Sequence, residues 1–182
     1  MRHLKQFKGF LNESIGNIEI GIITPDKVEE VVDVLYSVFG FLEKDRESLK
    51  ERVSPRLLNG LSICLSIDNK VEGAYLLNEK SANDFIQEIK ENKIKDFPSE
   101  ETKIYLDQEI NGKGLQGIAL AINPDLKGSG LGQSLKDWVK NLNYDYIWGV
   151  ADKKLENIVN WKNTRELLAE SPTRWATIQF FN

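Results

Sequence analysis

The chain has 182 residues, 41% hydrophobic and 29% charged, the balance of a soluble globular fold rather than of a disordered chain. A net charge of −4 gives no broad basic face, so no nucleic-acid partner is expected. A single cysteine, Cys64, and a single histidine, His3, exclude an intramolecular disulfide and a Cys/His zinc site. They leave a Ser-His-Asp triad only a histidine near the start of the chain, and no metal is expected.

Residues 1–16 form an amphipathic segment: Leu4, Phe7, Leu11 and Ile15 follow helical spacing with Arg2, Lys5 and Lys8 between them. No small-residue cleavage site follows an apolar core, so a secretory signal is not expected. No apolar run approaches the roughly 18 residues of a membrane span, so no membrane partner and a cytoplasmic location are expected. Residues 17–182 then read as one domain.

Ile18 to Ile23 reads as a strand. Thr24-Pro25-Asp26 starts a helix, with Thr24 as cap, Pro25 at the first helical position and Asp26 at the positive helix end. Val28, Val31, Val32, Leu35 and Phe39 form its buried stripe, and Gly40 stops it. A more polar helix runs from Asp45 to Ser54 and ends at Pro55. Leu61, Ile63, Leu65 and Ile67 alternate with Ser62, Cys64 and Ser66, a strand with one buried face. Asp68-Asn69-Lys70 turns the chain into a partner strand from Val71 to Leu77, making a hairpin in which Cys64 is a plain strand thiol.

Ser81 caps a short helix carrying Phe85, Ile86 and Ile89. Ile104 to Ile110 forms a strand, followed by the hairpin turn signal Asn111-Gly112. Leu115 to Ile122 is a near-continuous apolar strand of the kind buried on both faces. A glycine loop follows, then a helix with Leu131, Leu135, Trp138, Val139 and Leu142 on one side. Tyr144 to Val150 is a strand, Leu155, Ile158 and Val159 open a last helix, and Arg174 to Phe181 closes as a strand. The fold class is mixed α/β, without a regular alternation of parallel βαβ units.

The chemistry sits in Asn123-Pro124-Asp125-Leu126-Lys127-Gly128-Ser129-Gly130-Leu131-Gly132, between an apolar strand and an amphipathic helix. Gly128, Gly130 and Gly132 let the backbone approach a ligand and take unusual torsions. Their N–H groups, with that of Leu131, point ahead of a helix N-terminus and make an anion site, to which Lys127 adds a charge. A P-loop needs a second glycine five positions after the first, then Lys; Gln133 stands there. A Rossmann turn ends in a third glycine where Gln133 again stands.

The segment resembles the acetyl-CoA loop of the GNAT superfamily of N-acyltransferases, an apolar strand followed by V/I-x-P-x-x-R/Q-G-x-G-x-G/A and a helix. Here it reads Ile122-x-Pro124-x-x-Lys127-Gly128-x-Gly130-x-Gly132, with Lys127 the one departure, a cation without a planar bidentate fork. The resemblance implies a GNAT-like fold over roughly 17–182, with backbone groups of Gly128, Ser129, Gly130, Leu131 and Gly132 on the CoA pyrophosphate. It implies that Ile122 and its neighbours pair with the pantetheine arm, and that Asn157, or else Asn160, contacts that arm.

The implied activity is transfer of an acetyl group from acetyl-CoA to an amine of a small molecule or a protein. The acceptor amine must shed a proton, its free pKa being near ~10, which invites a general base. Tyr105, Asp107 and Glu109 alternate on one face of the expected strand, and Glu109 is the candidate base. Many relatives carry a Tyr in the last helix that protonates the leaving thiolate. Residues 157–167 hold none, and Thr164 or Leu167 stands there instead. The departure leaves open an unassisted thiolate, another Tyr, or a degenerate member that binds acyl-CoA as a regulator or assembly component. Trp148 and Trp161 are candidates for either an acceptor pocket or the core, and the sequence leaves a homodimer open.

Overall fold

The computed structural model describes residues 16–42, 44–106, 108–153 and 165–181. Among these, the elements run β1 (Ile18–Ile22), α1 (Val28–Phe39), α2 (Arg46–Leu57), β2 (Ile63–Ile67), β3 (Lys70–Glu79), α3 (Ala82–Lys90), β4 (Lys103–Ile104), β5 (Gly114–Ile122), α4 (Leu131–Trp138), β6 (Tyr146–Asp152), β7 (Glu166–Glu170) and β8 (Arg174–Phe180). The strands form one mixed sheet in the order β1-β2-β3-β5-β6-β8-β7-β4. The described residues group into two compact units, one of residues 16–77 with 119–142, the other of 78–118 with 143–153 and 165–181.

In the first unit β1, β2 and β3 are antiparallel, from Ile18↔Ile67 to Ile22↔Ile63 and from Ile67↔Lys70 to Ile63↔Tyr75. Asp68 and Asn69 both have left-handed torsions, φ 48 and 69, the short turn a tight hairpin needs. Val31, Val32, Val34 and Leu35 of α1 and Leu49, Val53 and Leu57 of α2 cluster with Cys64, Val71, Ala74 and Leu76 of the sheet. The expectation of one buried face is corrected, because every residue of β2 is buried. Cys64 and its partner Ala74 face α1 and α2. On the opposite face Leu65 pairs with Gly73, where an added Cβ would lie 3.2 Å from Leu135 of α4. Burial pushes the Cys64 thiol pKa up, as suits an inert strand thiol.

Three helix ends differ from the sequence reading. Pro25–Lys27 forms a 3₁₀ turn before α1, and Thr24 caps it through its carbonyl, which accepts from the Lys27 N–H at 3.0 Å, rather than through its side chain. Gly40 keeps a right-handed torsion and leads into a second 3₁₀ turn. Its lack of a side chain serves packing, since a Cβ would sit 2.9 Å from the Tyr36 ring. Pro55 lies inside α2 instead of ending it. Its missing N–H removes one bond from the last turn, and buried Val53 and Leu57 hold that turn on the core.

In the second unit β6 and β8 are antiparallel from Tyr146↔Phe180 to Asp152↔Arg174, β7 pairs with β8, and β4 pairs with β7. No sequence pattern marks β7 (Glu166–Glu170). Ser81 caps α3, its hydroxyl accepting from the Asn83 N–H at 3.0 Å. Phe85, Ile86 and Ile89 pack with Phe97, Tyr146, Trp148, Leu168, Ala176 and Ile178. The Trp148 indole donates to the Lys80 carbonyl at 2.8 Å, and the Tyr146 hydroxyl accepts from the Ala82 N–H at 3.1 Å.

The strand expected over 104–110 shrinks to Lys103–Ile104, and Asn111-Gly112 joins no hairpin, because β4 pairs with β7. Gly112 does have a positive φ of 97, used to pass Asp145, whose carboxylate a Cβ would meet at 2.5 Å. The expected last helix lies outside the described residues.

Glu170, ending β7, accepts from Lys153 at 2.6 Å, from the Tyr105 hydroxyl at 2.8 Å and from the Trp175 indole at 3.3 Å. Lys153 first, then Tyr105, hold its carboxyl down to about 2 from an ordinary 4.5. A depressed carboxyl contributes stability that is present above the unfolded value and is lost as pH falls through the folded one.

Two outcomes follow. Chemical unfolding of Glu170→Gln should show a shallower loss of stability than the parent between pH 4.5 and about 2, by a modest amount because the pair is partly exposed. Leu135→Ala, removing a fully buried side chain, should cost about 2–5 kcal/mol in urea unfolding.

Candidate anion-binding loop

β5 pairs in parallel with β6 from Gly114↔Tyr146 to Gly117↔Gly149. It keeps strand geometry to Ile122, although its middle is not buried on both faces as expected: Ile118 is 37% exposed. The Ile122 side chain turns inward, its Cδ1 at 2.6 Å from where a Cβ on Gly73 would sit.

From Asn123 the chain makes a series of short local bonds. The Asn123 side chain accepts from the Asp125 N–H at 3.2 Å, and its carbonyl accepts from Leu126 at 2.9 Å. The Pro124 carbonyl accepts from Lys127 at 3.2 Å, and that of Leu126 from Ser129 at 3.2 Å. Gly128 and Gly130 then take left-handed torsions, φ 86 and 84, which cost a residue with a Cβ roughly 1–2 kcal/mol. The Gly130 carbonyl accepts from Gln133 at 2.9 Å and Ser134 at 3.1 Å, which opens α4.

Within this loop the N–H groups of Gly128, Gly130, Leu131 and Gly132 donate to no described residue. They stand at or before the first turn of α4, where the helix carries partial positive charge. Around Gly128 nothing lies within 4 Å of an added Cβ. Ser129 Oγ is shielded from solvent and has no hydrogen-bond partner among the described residues, an arrangement that calls for a partner from elsewhere. Lys127 is exposed beside it. Chemically, the arrangement can hold an anion with several oxygens through backbone donors.

Gly132 differs from the expectation. Its torsion is not left-handed, and an added Cβ would make ordinary contacts with Ile122 and Leu120, at 3.7 and 3.8 Å. Only Gly128 and Gly130 need to be glycine for their torsions. Leu131 has a fully buried side chain and presents only its backbone to the loop.

Glu109 lies on an exposed loop rather than a strand face. With Asn83, Ile86, Gln87, Lys90 and Gln108 it lines a hollow of about 210 Å³. Tyr105 sits in a bend after β4 and Glu109 on a loop, so these two share no strand face; Asp107 lies outside the described residues. Trp148 is core, fully buried against Phe85. Asn157, Asn160 and Trp161 lie outside the described residues. A second hollow, about 360 Å³, is lined by Glu30, Asp33, Val34, Ser37, Lys70, Val71 and Asn123. No sequence signal marked it, because its residues come from three separate segments. Its carboxylates are engaged: Glu30 accepts from the Val71 N–H at 2.8 Å and Asp33 pairs with Arg46 at 2.6 Å. Among the described residues no group of three or more His, Cys, Asp or Glu could hold a metal ion, and no helix is long and apolar enough to cross a membrane.

No protein-family model matches the sequence, and no curated protein matches it. Solved structures do. A GNAT-family acetyltransferase from Streptococcus agalactiae superposes with a TM-score of 0.63 at 12% identity, over 91% of this chain and 96% of its own. The PaiA N-acetyltransferase from Thermoplasma acidophilum, solved with coenzyme A, gives 0.60 at 10% identity, over 91% and 99%. The Drosophila melanogaster polyamine N-acetyltransferase, which forms N-acetylagmatine, gives 0.61 at 11%, over 91% and 100%. At this identity the likeness carries the fold, and the fold is that of the GNAT acetyltransferases.

The three glycines should separate by torsion. Gly128→Ala and Gly130→Ala should each lose about 1–2 kcal/mol in urea unfolding. Gly132→Ala should be neutral or gain up to about 1 kcal/mol.

Proposed function

We propose that this chain is an acyl-CoA-dependent N-acetyltransferase that moves an acetyl group from acetyl-CoA to an amine of a small molecule or a protein by direct transfer. The observation that carries the reading is the loop at 123–132. Its unpaired N–H groups, open space at Gly128 and orphan Ser129 hydroxyl match what a pyrophosphate would take up. In this reading Gly128, Gly130, Leu131 and Gly132 bind the pyrophosphate through their backbone N–H groups, Ser129, whose N–H is held by Leu126, through its hydroxyl, and Lys127 adds charge. Ile122 and its neighbours offer backbone groups to the pantetheine arm, with Asn157, or else Asn160, as a further contact.

In the transfer the amine nitrogen attacks the thioester carbonyl carbon, the C–N bond forms and the C–S bond breaks. The nitrogen loses a proton, and the thiolate leaves. Glu109 is retained as candidate base; its exposure means it could collect the proton through water. Support for an amine acceptor comes from the fold's company, which includes a polyamine N-acetyltransferase, and from a net charge of −4, which favours a cationic partner. The absence of Tyr over 157–167 supports a second reading, in which the protein binds acyl-CoA without turnover.

Calorimetric titration with acetyl-CoA, CoA and ATP, followed by thiol-release assays over a panel of amines, separates these. Acetyl-CoA and CoA should bind more tightly than ATP, and at least one amine should release CoA. If neither CoA species binds, both readings fall; binding with no release from any amine favours the second. Gly130→Val should weaken acetyl-CoA at least about tenfold, from its strained torsion and lost approach, with an unchanged circular dichroism spectrum.

A further inference from the structure

Glu72 is a carboxylate in an unexpected place. It is 8% exposed, in a strand whose neighbours from Val71 to Leu77 are all buried. Burying a carboxylate is costly unless its oxygens are hydrogen-bonded. The pairing of β2 with β3 slips here. Leu65 pairs with Gly73 and the next residue, Ser66, with Val71, so Glu72 has no partner on β2. An extra residue of this kind re-aims its side chain.

The carboxylate goes to the first residue of the glycine loop. Glu72 Oε2 accepts from Asn123 Nδ2 at 2.6 Å, while the Glu72 carbonyl accepts from the Asn123 N–H at 2.8 Å. One residue of β3 thus grips Asn123 by both its backbone and its side chain. Asn123 passes the constraint on. Its own Oδ1 takes the Asp125 N–H and its carbonyl takes that of Leu126, and the chain of local bonds then runs through Lys127 to Ser129, the residue before Gly130.

The other carboxylate oxygen receives Lys70 at 2.6 Å, but Lys70 is 71% exposed on its side chain, and such a pair contributes little. Nor is Glu72 needed to close the strand, because the Val71 N–H is already taken by Glu30.

We propose that Glu72 is a positioning residue for the glycine loop: the buried carboxylate locks Asn123 and so holds the backbone donors of 128–132 in register for the phosphates of acetyl-CoA. The ligand named here rests on the function proposed above, whereas the lock itself is a property of the ligand-free protein. Gln at position 72 keeps an oxygen that can accept from Asn123 Nδ2, and Ala does not. Loss of a hydrogen bond to a charged group is worth about a factor of ten or more in an equilibrium constant.

The test has two readouts. Amide hydrogen exchange in the ligand-free protein should be faster by about tenfold at Leu126, Lys127 and Ser129 in Glu72→Ala and in Asn123→Ala, and near the parent rate in Glu72→Gln. Calorimetry should show acetyl-CoA weakened about tenfold in both alanine variants, no further weakening in the double variant, and recovery to within about threefold in Glu72→Gln. S-acetylpantetheine, which lacks the nucleotide phosphates, should bind all of them as it binds the parent. Exchange that is unchanged in Glu72→Ala overturns the lock. Equal weakening of acetyl-CoA and S-acetylpantetheine overturns it too, since that marks general destabilisation. If Glu72→Ala fails to fold, Asn123→Ala carries the same comparison. A parent that binds no acetyl-CoA while exchange responds as expected removes the proposed function and leaves the lock standing.

Discussion

Two left-handed glycines separated by one serine set the geometry on which the candidate site depends. A chain leaving β5 at Ile122 must reverse and enter α4 at Leu131. Right-handed torsions throughout that span would continue the 3₁₀ turn begun at Pro124. Lys127 ends that turn with an extended torsion, ψ 132, Gly128 and Gly130 then redirect the chain with φ 86 and 84, and the result is a helix whose leading N–H groups face no acceptor among the described residues. Such donors are expensive to leave unpaired when buried, yet cheap where a ligand or water reaches them. α4 itself is seated independently of that surface. Leu131 and Leu135 are fully buried, and the glycine at position 73 gives Leu135 and Ile122 room against β3. Apolar packing fixes the helix, so its polar end can stay unsatisfied at little cost to the fold.

The parts of the fold that were legible in the sequence are those where one local rule acts alone. The α1 stripe of Val31, Val32 and Leu35 reads correctly because a helix period leaves no second interpretation. The turn at Asp68-Asn69 reads correctly because few residues take two successive left-handed torsions. The loop was legible for the same reason: Gly128 and Gly130 are demanded by torsion, and no tertiary contact is needed to find them. Gly132 shows the limit of that logic, since a glycine's letter does not reveal whether torsion, space or neither requires it.

The misread segments share a different cause: their states are decided by partners distant in sequence. Ile104 to Ile110 has strand composition, but among the described residues strand pairing covers Lys103 and Ile104, against the edge of β7, more than sixty residues on. Asn111-Gly112 carries a hairpin signal, yet Gly112 is used to clear Asp145. β2 looks half-buried because Ser62, Cys64 and Ser66 are polar or weakly so. Small polar residues can face a core when their hydroxyls find acceptors, as Ser62 does with Leu77 at 3.3 Å. Glu72 was invisible for the same reason, because neither the register slip nor Asn123 as its partner is encoded within the strand.

For an acetyl transfer, the proton needs of the leaving group decide how much the missing tyrosine matters. A thiol has a pKa near ~8.5, so a thiolate is a competent leaving group near neutral pH without an acid. The tyrosines whose hydroxyls are placed here offer little help. Tyr144 donates to Glu79 at 2.6 Å, and desolvation, then that carboxylate, raises its pKa to about 12. Tyr105 is pushed up by Glu170, and Tyr146 accepts from the Ala82 N–H in the core. Held that far above a thiol, Tyr144 gives up its proton with little driving force. The first demand on such an enzyme is therefore at the other end of the reaction, where a cationic amine must lose its proton before it can attack. A base acting through water at an exposed carboxylate meets that demand with loose geometry, whereas the pyrophosphate end needs backbone donors fixed in place. Under the proposed function, that difference would account for strict torsions at Gly128 and Gly130 beside an acceptor side that no comparable sequence pattern marks.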